Sequence, residues 1–170
     1  MNNFFIYDCI GSTNNEAKKI IHKYKIYKGV IISDKQTQGK GKYGTKWISK
    51  KGNLYMTFFF KVKNYDKVLK LQFKTLKIIK SILTKKINSK NKISIKYPND
   101  ILVNDKKLSG ILIESIRFNK SIYGLVGIGV NISNSPNIRK YQTTCLNNIN
   151  GKMNDRIEIA QSITNRFRIL

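Results

Sequence analysis

The chain has 170 residues, 41% of them hydrophobic, and a formal net charge of +24 at pH 7. That length and apolar share suit one globular domain rather than a disordered chain, and no apolar run approaches the ~20 residues of a membrane span. The charge comes from 28 lysines and only five arginines, in a chain that also holds 27 isoleucines and 19 asparagines. Lys, Asn and Ile are the residues that AT-rich codons favour, so most of the charge reads as composition drift. Readers of bases and phosphates lean on the bidentate fork of arginine, which is scarce here. No specific nucleic acid and no membrane partner is therefore expected, although the field attracts acidic partners. The N-terminus, MNNFFIYDCIG, lacks the long apolar core of a signal peptide. Cys9 and Cys145 have no CxxC spacing, so they read as two reduced thiols in a cytoplasmic protein.

In chain order, residues 3–10 read as a strand ending at Gly11. Thr13 and Glu16 have capping-box spacing before the apolar Ala17, Ile20 and Ile21, which predicts a helix beginning at Ser12-Thr13. The free N–H groups of its first turn suit a polar ligand. His22, the only histidine, is expected on the exposed side of this helix and is assigned no chemistry. Residues 29–35 form a second strand. It runs into QTQGKGKYGTKW (36–47), which has no apolar period and is predicted to be a flexible loop. Gly39, Gly41 and Gly44 permit close backbone approach, and Lys40, Lys42 and Lys46 add charge, so the loop suits an anion such as a phosphate.

NLYMTFFFK (53–61) is a continuous apolar run, as in a strand buried on both faces. An amphipathic helix over about 66–87 carries Val68, Leu71, Leu76, Ile79, Leu83 and Ile87 on one stripe. Ile93, Ile95 and Tyr97 alternate as a strand that ends at Pro98. Strands over 101–103 and 107–116 are joined by a tight turn at Asn104-Asp105. A second hairpin through 117–120 leads into a strand over 121–133, which Gly127 and Gly129 thin for close approach by a ligand. The tail is expected to be loop to about Asn154, followed by a last helix.

Four segments, STN (12–14), QTQGKGKYGTKW (36–47), KYPNDILVNDKKLSGIL (96–112) and GIGVN (127–131), together resemble the biotin–protein ligase family. The resemblance implies an α+β fold, a mixed β-sheet backed by helices and related to class II tRNA synthetases and lipoate ligases. It is a resemblance to a catalytic domain over 1–170. Neither an N-terminal winged helix nor a small C-terminal SH3-like domain is expected, so the repressor role of bifunctional members should be absent. Biotin's carboxylate would be activated by ATP with Mg²⁺ to biotinyl-5′-AMP. A lysine of a biotin carboxyl carrier domain, belonging to a biotin-dependent carboxylase, would then displace AMP. A homodimer is compatible with the family.

By position, the resemblance places Ser12, Thr13, Asn14, Gln36, Gly39, Lys40, Gly41, Lys107, Gly110 and Gly129 around biotin. It places Lys40, Lys42, Trp47, Asn99 and Asn131 around the adenylate. Lys107 matches the lysine that touches carboxylate and phosphate together, with Lys42 and Asp100 completing the catalytic candidates. Asp100 is assigned to orient the acceptor amine or a metal-bound water, and no direct protein metal site is expected. The family loop typically reads GRGRRGR, whereas Lys stands here at 40 and 42, Tyr at 43 and Thr at 45. Lysine keeps charge without the bidentate fork, so adenylate retention is expected to be weaker. Tyr97 stands where the family usually has Trp. The competing readings are a lipoate or octanoate ligase or transferase on the same fold, and a basic nucleic-acid-binding module.

Overall fold

In the computed structural model, which describes residues 3–167, the chain begins with β1 (Asn3–Ile10) and α1 (Thr13–Lys19). A π-helical turn at Ile20–Tyr24, β2 (Gly29–Gln36) and a single 3-10 turn at Lys42–Gly44 come next. Then follow β3 (Leu54–Val62), α2 (Tyr65–Thr84), β4 (Ile93–Lys96), β5 (Asp100–Val103), β6 (Lys106–Phe118) and β7 (Ser121–Val130). Two helices close the described chain, α3 (Leu146–Asn150) and α4 (Arg156–Phe167). The strands make one sheet in the order β1-β2-β3-β7-β6-β5-β4. The β1–β2 pair is parallel and every other pair antiparallel, which is the mixed sheet expected.

Helices cover both faces, and strand parity sorts the side chains between them. Met56, Phe58, Val126, Ile128 and Val130 point to the side of α2 and α4, where Leu76, Ile79, Leu83 and Ile163 complete the larger core. Ile31, Phe59, Tyr123 and Leu125 point the other way, against Ala17, Ile20 and Ile21 of α1 and its π turn. This double cover explains why β3 reads as a continuous apolar run.

The expected helix stripe is split at its end. The Asn64 side chain caps α2 by accepting from Lys67 N at 3.1 Å, and the helix stops at Thr84. Ile87 lies beyond it yet still packs on the larger core. Tyr97 is outside β4 and 61% exposed, beside Phe73 with ring centroids 5.9 Å apart. Both predicted tight turns form, with positive φ at Asn104, Asp105, Asn119 and Lys120. Two expectations fail. Residues 146–150 are helical rather than loop, because Leu146 N and Asn147 N are anchored by Asn131 O and Ile132 O. Thr13 and Glu16 do not form a capping box: Ser12 is the N-cap residue, and the side chains of Thr13 and Glu16 bond elsewhere.

Tyr55 is 1% exposed, and its hydroxyl donates to Lys50 O at 2.7 Å. Burial pushes its pKa from 10.0 up to about 12. A folded value above the unfolded one means that this contribution is intact below pH 10 and lost as pH rises toward 12. Circular dichroism across that interval should show the parent losing stability more steeply than Tyr55→Phe.

Candidate active site

The register of β3, β7 and β6 lays three cross-strand rows on the face that carries α1. Tyr55, Gly129 and Gly110 form one row, Thr57, Gly127 and Leu112 the next, and Phe59, Leu125 and Glu114 the third. The third row is core, whereas the first two carry glycines and leave the sheet uncovered. There a cavity of about 410 Å³ opens, bounded by the start of α1, the residue 40–48 loop and the segment around Ile138–Tyr141. Its lining includes Lys40, Lys42, Lys46, Lys107 and Lys140 but only one carboxylate, Asp100. Such a wall attracts anions.

One end is a buried polar network. Ser12, Thr13 and Asn14 are 3%, 5% and 3% exposed, and all three line the cavity. Gln36 Oε1 accepts from Thr13 N at 2.8 Å and lies 3.1 Å from Thr13 Oγ1, while Gln36 Nε2 donates to Ser49 Oγ at 3.0 Å. Thr57 Oγ1 sits 2.8 Å from Thr13 Oγ1 and 2.6 Å from Asn14 Oδ1. Asn14 Nδ2 donates to Glu114 Oε2 at 2.7 Å, and Lys18 Nζ reaches Glu114 Oε1 at 2.6 Å. Burial alone would raise the Glu114 pKa, but hydrogen bonds from Lys18 and Asn14 and the charges of Lys18 and Lys40 lower it overall. A Cβ on Gly127 would lie 2.5 Å from Asn14 Oδ1, so only glycine leaves room for this carboxamide.

The other end is built around Lys107. Leu102 pairs with Lys107 but Ile101 with Ser109, so Leu108 is an extra residue in β6. This bulge reverses the side-chain alternation. Leu108 joins Ile111 in the larger core, and Lys107 turns to the cavity beside Gly110, its Cε 3.4 Å from where a Gly110 Cβ would be. Lys107 Nζ pairs with Asp100 Oδ1 at 2.9 Å and stands 5.2 Å from the ring centroids of both Trp47 and Tyr141. The carboxylate and the two ring faces hold the ammonium in place.

The glycine loop is a small hairpin rather than an unstructured span. Lys40 and Lys46 form a bridge, Gly41 N donates to Thr45 O at 2.7 Å, and Trp47 N to Gly39 O at 2.9 Å. At its tip Tyr43 has φ 54° and is 90% exposed. Lys40 Nζ donates to Asn15 Oδ1 at 3.0 Å. Gly39 does not line the cavity. It lies at the hairpin base, where a Cβ would be 2.4 Å from Trp47 O. The indole of Trp47 fills the space above Gly110 and Gly129, with a built Cβ at 2.6 and 2.7 Å respectively. Those two glycines thus seat Trp47. Asn99 lines the main cavity, whereas Asn131 lines a small adjoining one with Trp47, Lys107 and Pro136. Asn131 Nδ2 donates to Thr144 O at 3.1 Å, and both its Oδ1 and Trp47 Nε1 are buried without partners. Among the described residues, no three His, Cys, Asp or Glu side chains cluster to hold a metal ion.

The family described as biotin/lipoate A/B protein ligase matches residues 6–131. The chain belongs to that family. Biotin–protein ligase 2 of Arabidopsis thaliana is 33% identical over 122 residues, which are 69% of this chain and 36% of the relative. The bifunctional ligase/repressor BirA of Bacillus spizizenii is 29% identical over 164 residues, 92% of this chain and 50% of the relative. The chain thus spans half or less of the length of these curated relatives. The solved biotin protein ligase of Aquifex aeolicus, in complex with biotin and ATP, has a TM-score of 0.77 and 27% identity. That likeness covers 98% of this chain and 68% of the other.

In this member of the biotin/lipoate ligase family the sequence reading passed over several residues in the cavity wall or directly behind it. Thr57 was legible as the one polar residue inside LYMTFFF, and Glu114 as an acid directly after the apolar Ile111-Leu112-Ile113. Tyr141 and Lys140 belong to an irregular segment with no periodicity to mark them. They arrive because Lys107 N donates to Gln142 O, and Thr144 N to Lys107 O, both at 2.9 Å.

Closure of the hairpin loop over a ligand would have a direct readout. Among the described residues its lysines form no ion pair, and its glycines make ordering costly. Amides of residues 38–46 are expected to exchange at least tenfold more slowly with a non-hydrolysable biotinyl-adenylate analogue than without it. Equal protection would mean that the loop does not close over the ligand.

Proposed function

We propose that this chain is the catalytic part of a biotin–protein ligase. The observation that carries the reading is Lys107, an ammonium held by Asp100 at the junction of the main cavity and the small one. The polar end, with Ser12, Thr13, Asn14 and Gln36, suits a cyclic ureide that offers both N–H donors and a carbonyl acceptor. The small cavity offers Asn131 Oδ1, an orphaned acceptor, to an exocyclic amine such as that of adenine. With biotin at one end and ATP at the other, carboxylate and α-phosphate meet beside Lys107.

Biotin's carboxylate oxygen attacks the α-phosphorus, forming the acyl–phosphate bond of biotinyl-5′-AMP, and pyrophosphate leaves. Charge builds on the non-bridging oxygens as the two anions join, and a fixed ammonium aimed there stabilises it. Lys40 and Lys42 on the hairpin supply further positive charge, and the hairpin excludes water from the mixed anhydride. Asp100 is the one carboxylate on the cavity wall. It would orient a water of Mg²⁺ delivered with the triphosphate, since that ion usually keeps several of its waters. In the second step a lysine amine of a biotin carboxyl carrier domain attacks the acyl carbon and AMP departs with the electron pair. Asp100 would accept the amine's proton.

Cytoplasmic location is supported by two free cysteines, Cys9 exposed and Cys145 buried. Among the described residues no helix is long and apolar enough to cross a membrane. β1 is an edge strand with Phe4 and Ile6 exposed, and a homodimer would cover it. A lipoate or octanoate ligase would have no ureide to satisfy the buried polar end. The test is mass spectrometry of a carrier domain after incubation with this chain, biotin and MgATP. The expected result is a single added biotinyl group on one lysine. Neither adenylate nor modified carrier from folded protein would overturn the proposal.

A further inference from the structure

We infer that Glu114, which does not line the cavity, is a positioning residue that sets Thr13 as a hydrogen-bond acceptor and so selects a ligand bearing a ureide N–H. The inference deepens the biotin reading and rests on it. It follows from counting protons along a chain of four side chains. Glu114 is ionised, held by Lys18 at 2.6 Å, and a carboxylate only accepts. Asn14 must therefore turn its Nδ2 toward Glu114, 2.7 Å away, and its Oδ1 toward Thr57. Gly127 holds the carboxamide there, since its missing Cβ is what makes room for Oδ1.

Thr57 has one hydroxyl proton and two neighbours. Asn14 Oδ1, at 2.6 Å, can only accept and takes that proton. The 2.8 Å contact between Thr57 and Thr13 then needs the proton of Thr13. Gln36 Oε1 competes for it from 3.1 Å but already accepts Thr13 N–H at 2.8 Å. With its proton directed inward, Thr13 Oγ1 turns lone pairs to the cavity, an acceptor for a ligand N–H. A dithiolane or a plain acyl chain has no such donor. If Asn14 were free to flip, its amide would donate to Thr57, Thr57 to Thr13, and Thr13 would offer the cavity a proton instead. The polarity of the biotin end therefore depends on a carboxylate separated from Thr13 by two intervening side chains, Asn14 and Thr57. Thr57 is 0% exposed between Met56 and Phe58, a costly place for a hydroxyl without such a task.

The test is calorimetric titration of the full chain with biotin and with desthiobiotin, which keeps the ureide and lacks the thioether ring. Glu114→Gln and Thr57→Val are each expected to weaken both ligands about tenfold, or about 1.4 kcal/mol. Because both act through one relay, Glu114→Gln with Thr57→Val should be no more than about twofold worse than either alone. Thr57→Ser keeps the hydroxyl and should stay within threefold of the parent. Losses that multiply in the double variant, or a folded Glu114→Gln within threefold of the parent, would overturn the inference. Should Glu114→Gln fail to fold, Thr57→Val against Thr57→Ser decides, and equal affinities overturn it. A parent chain that binds no biotin removes the ligase reading itself, and this one with it.

Discussion

Replacing Lys107 by alanine is expected to slow biotinyl-adenylate formation by about 10²–10³-fold with little change in stability. The side chain is held by Asp100 at 2.9 Å and by two ring faces, so its charge is aimed before any ligand arrives. One such preorganised donor to a developing anion is typically worth about 3–4 kcal/mol. Pyrophosphate release measures the first step alone, apart from transfer to a carrier. A variant within tenfold of the parent would mean that Lys107 does not meet the reacting oxygens, since the lost stabilisation would then be under ~1.4 kcal/mol. Lys107→Arg is expected to recover little, because the guanidinium fork does not fit a seat shaped for a point charge.

The second large effect is expected at Gly129. A methyl group there would lie 2.7 Å from two atoms of the Trp47 indole, closer than real Cβ contacts allow. Trp47 rides on the hairpin loop and can move more easily than the centre of β7. Gly129→Ala should therefore keep the sheet and displace the indole, taking with it one face of the Lys107 seat. Overpacking of this kind typically costs about 1–3 kcal/mol, here felt as biotin affinity falling roughly tenfold or more. Trp47 is the sole tryptophan, so its emission reports the displacement directly. Unchanged emission with unchanged affinity would show that the indole has other room.

Much of this molecule was readable from local pattern. An apolar run marked β3, alternation marked β4, and the Asn104-Asp105 pair marked a turn with positive φ. Those signals are legible because they depend on neighbours within a few residues. Four short segments sufficed to indicate the family, since each carries residue types of unusual chemistry at fixed spacing.

What local pattern could not show is where side chains meet across the sheet. The capping-box spacing of Thr13 and Glu16 was a true local regularity, yet the cavity claims Thr13 through Gln36 and Thr57, 23 and 44 residues away. Gly110 and Gly129 looked like backbone bared for a ligand; both line the cavity, and the register sets them side by side beneath Trp47. Asn14 finds Glu114 across 100 residues only because β6, β7 and β3 align as they do. Lys107 faces the cavity because one extra residue, Leu108, reverses the alternation of β6. Composition and spacing thus determined which strands, turns and charged loop exist. Pairing register and a single bulge, set by the burial of two opposed cores, decided which of their side chains share one cavity.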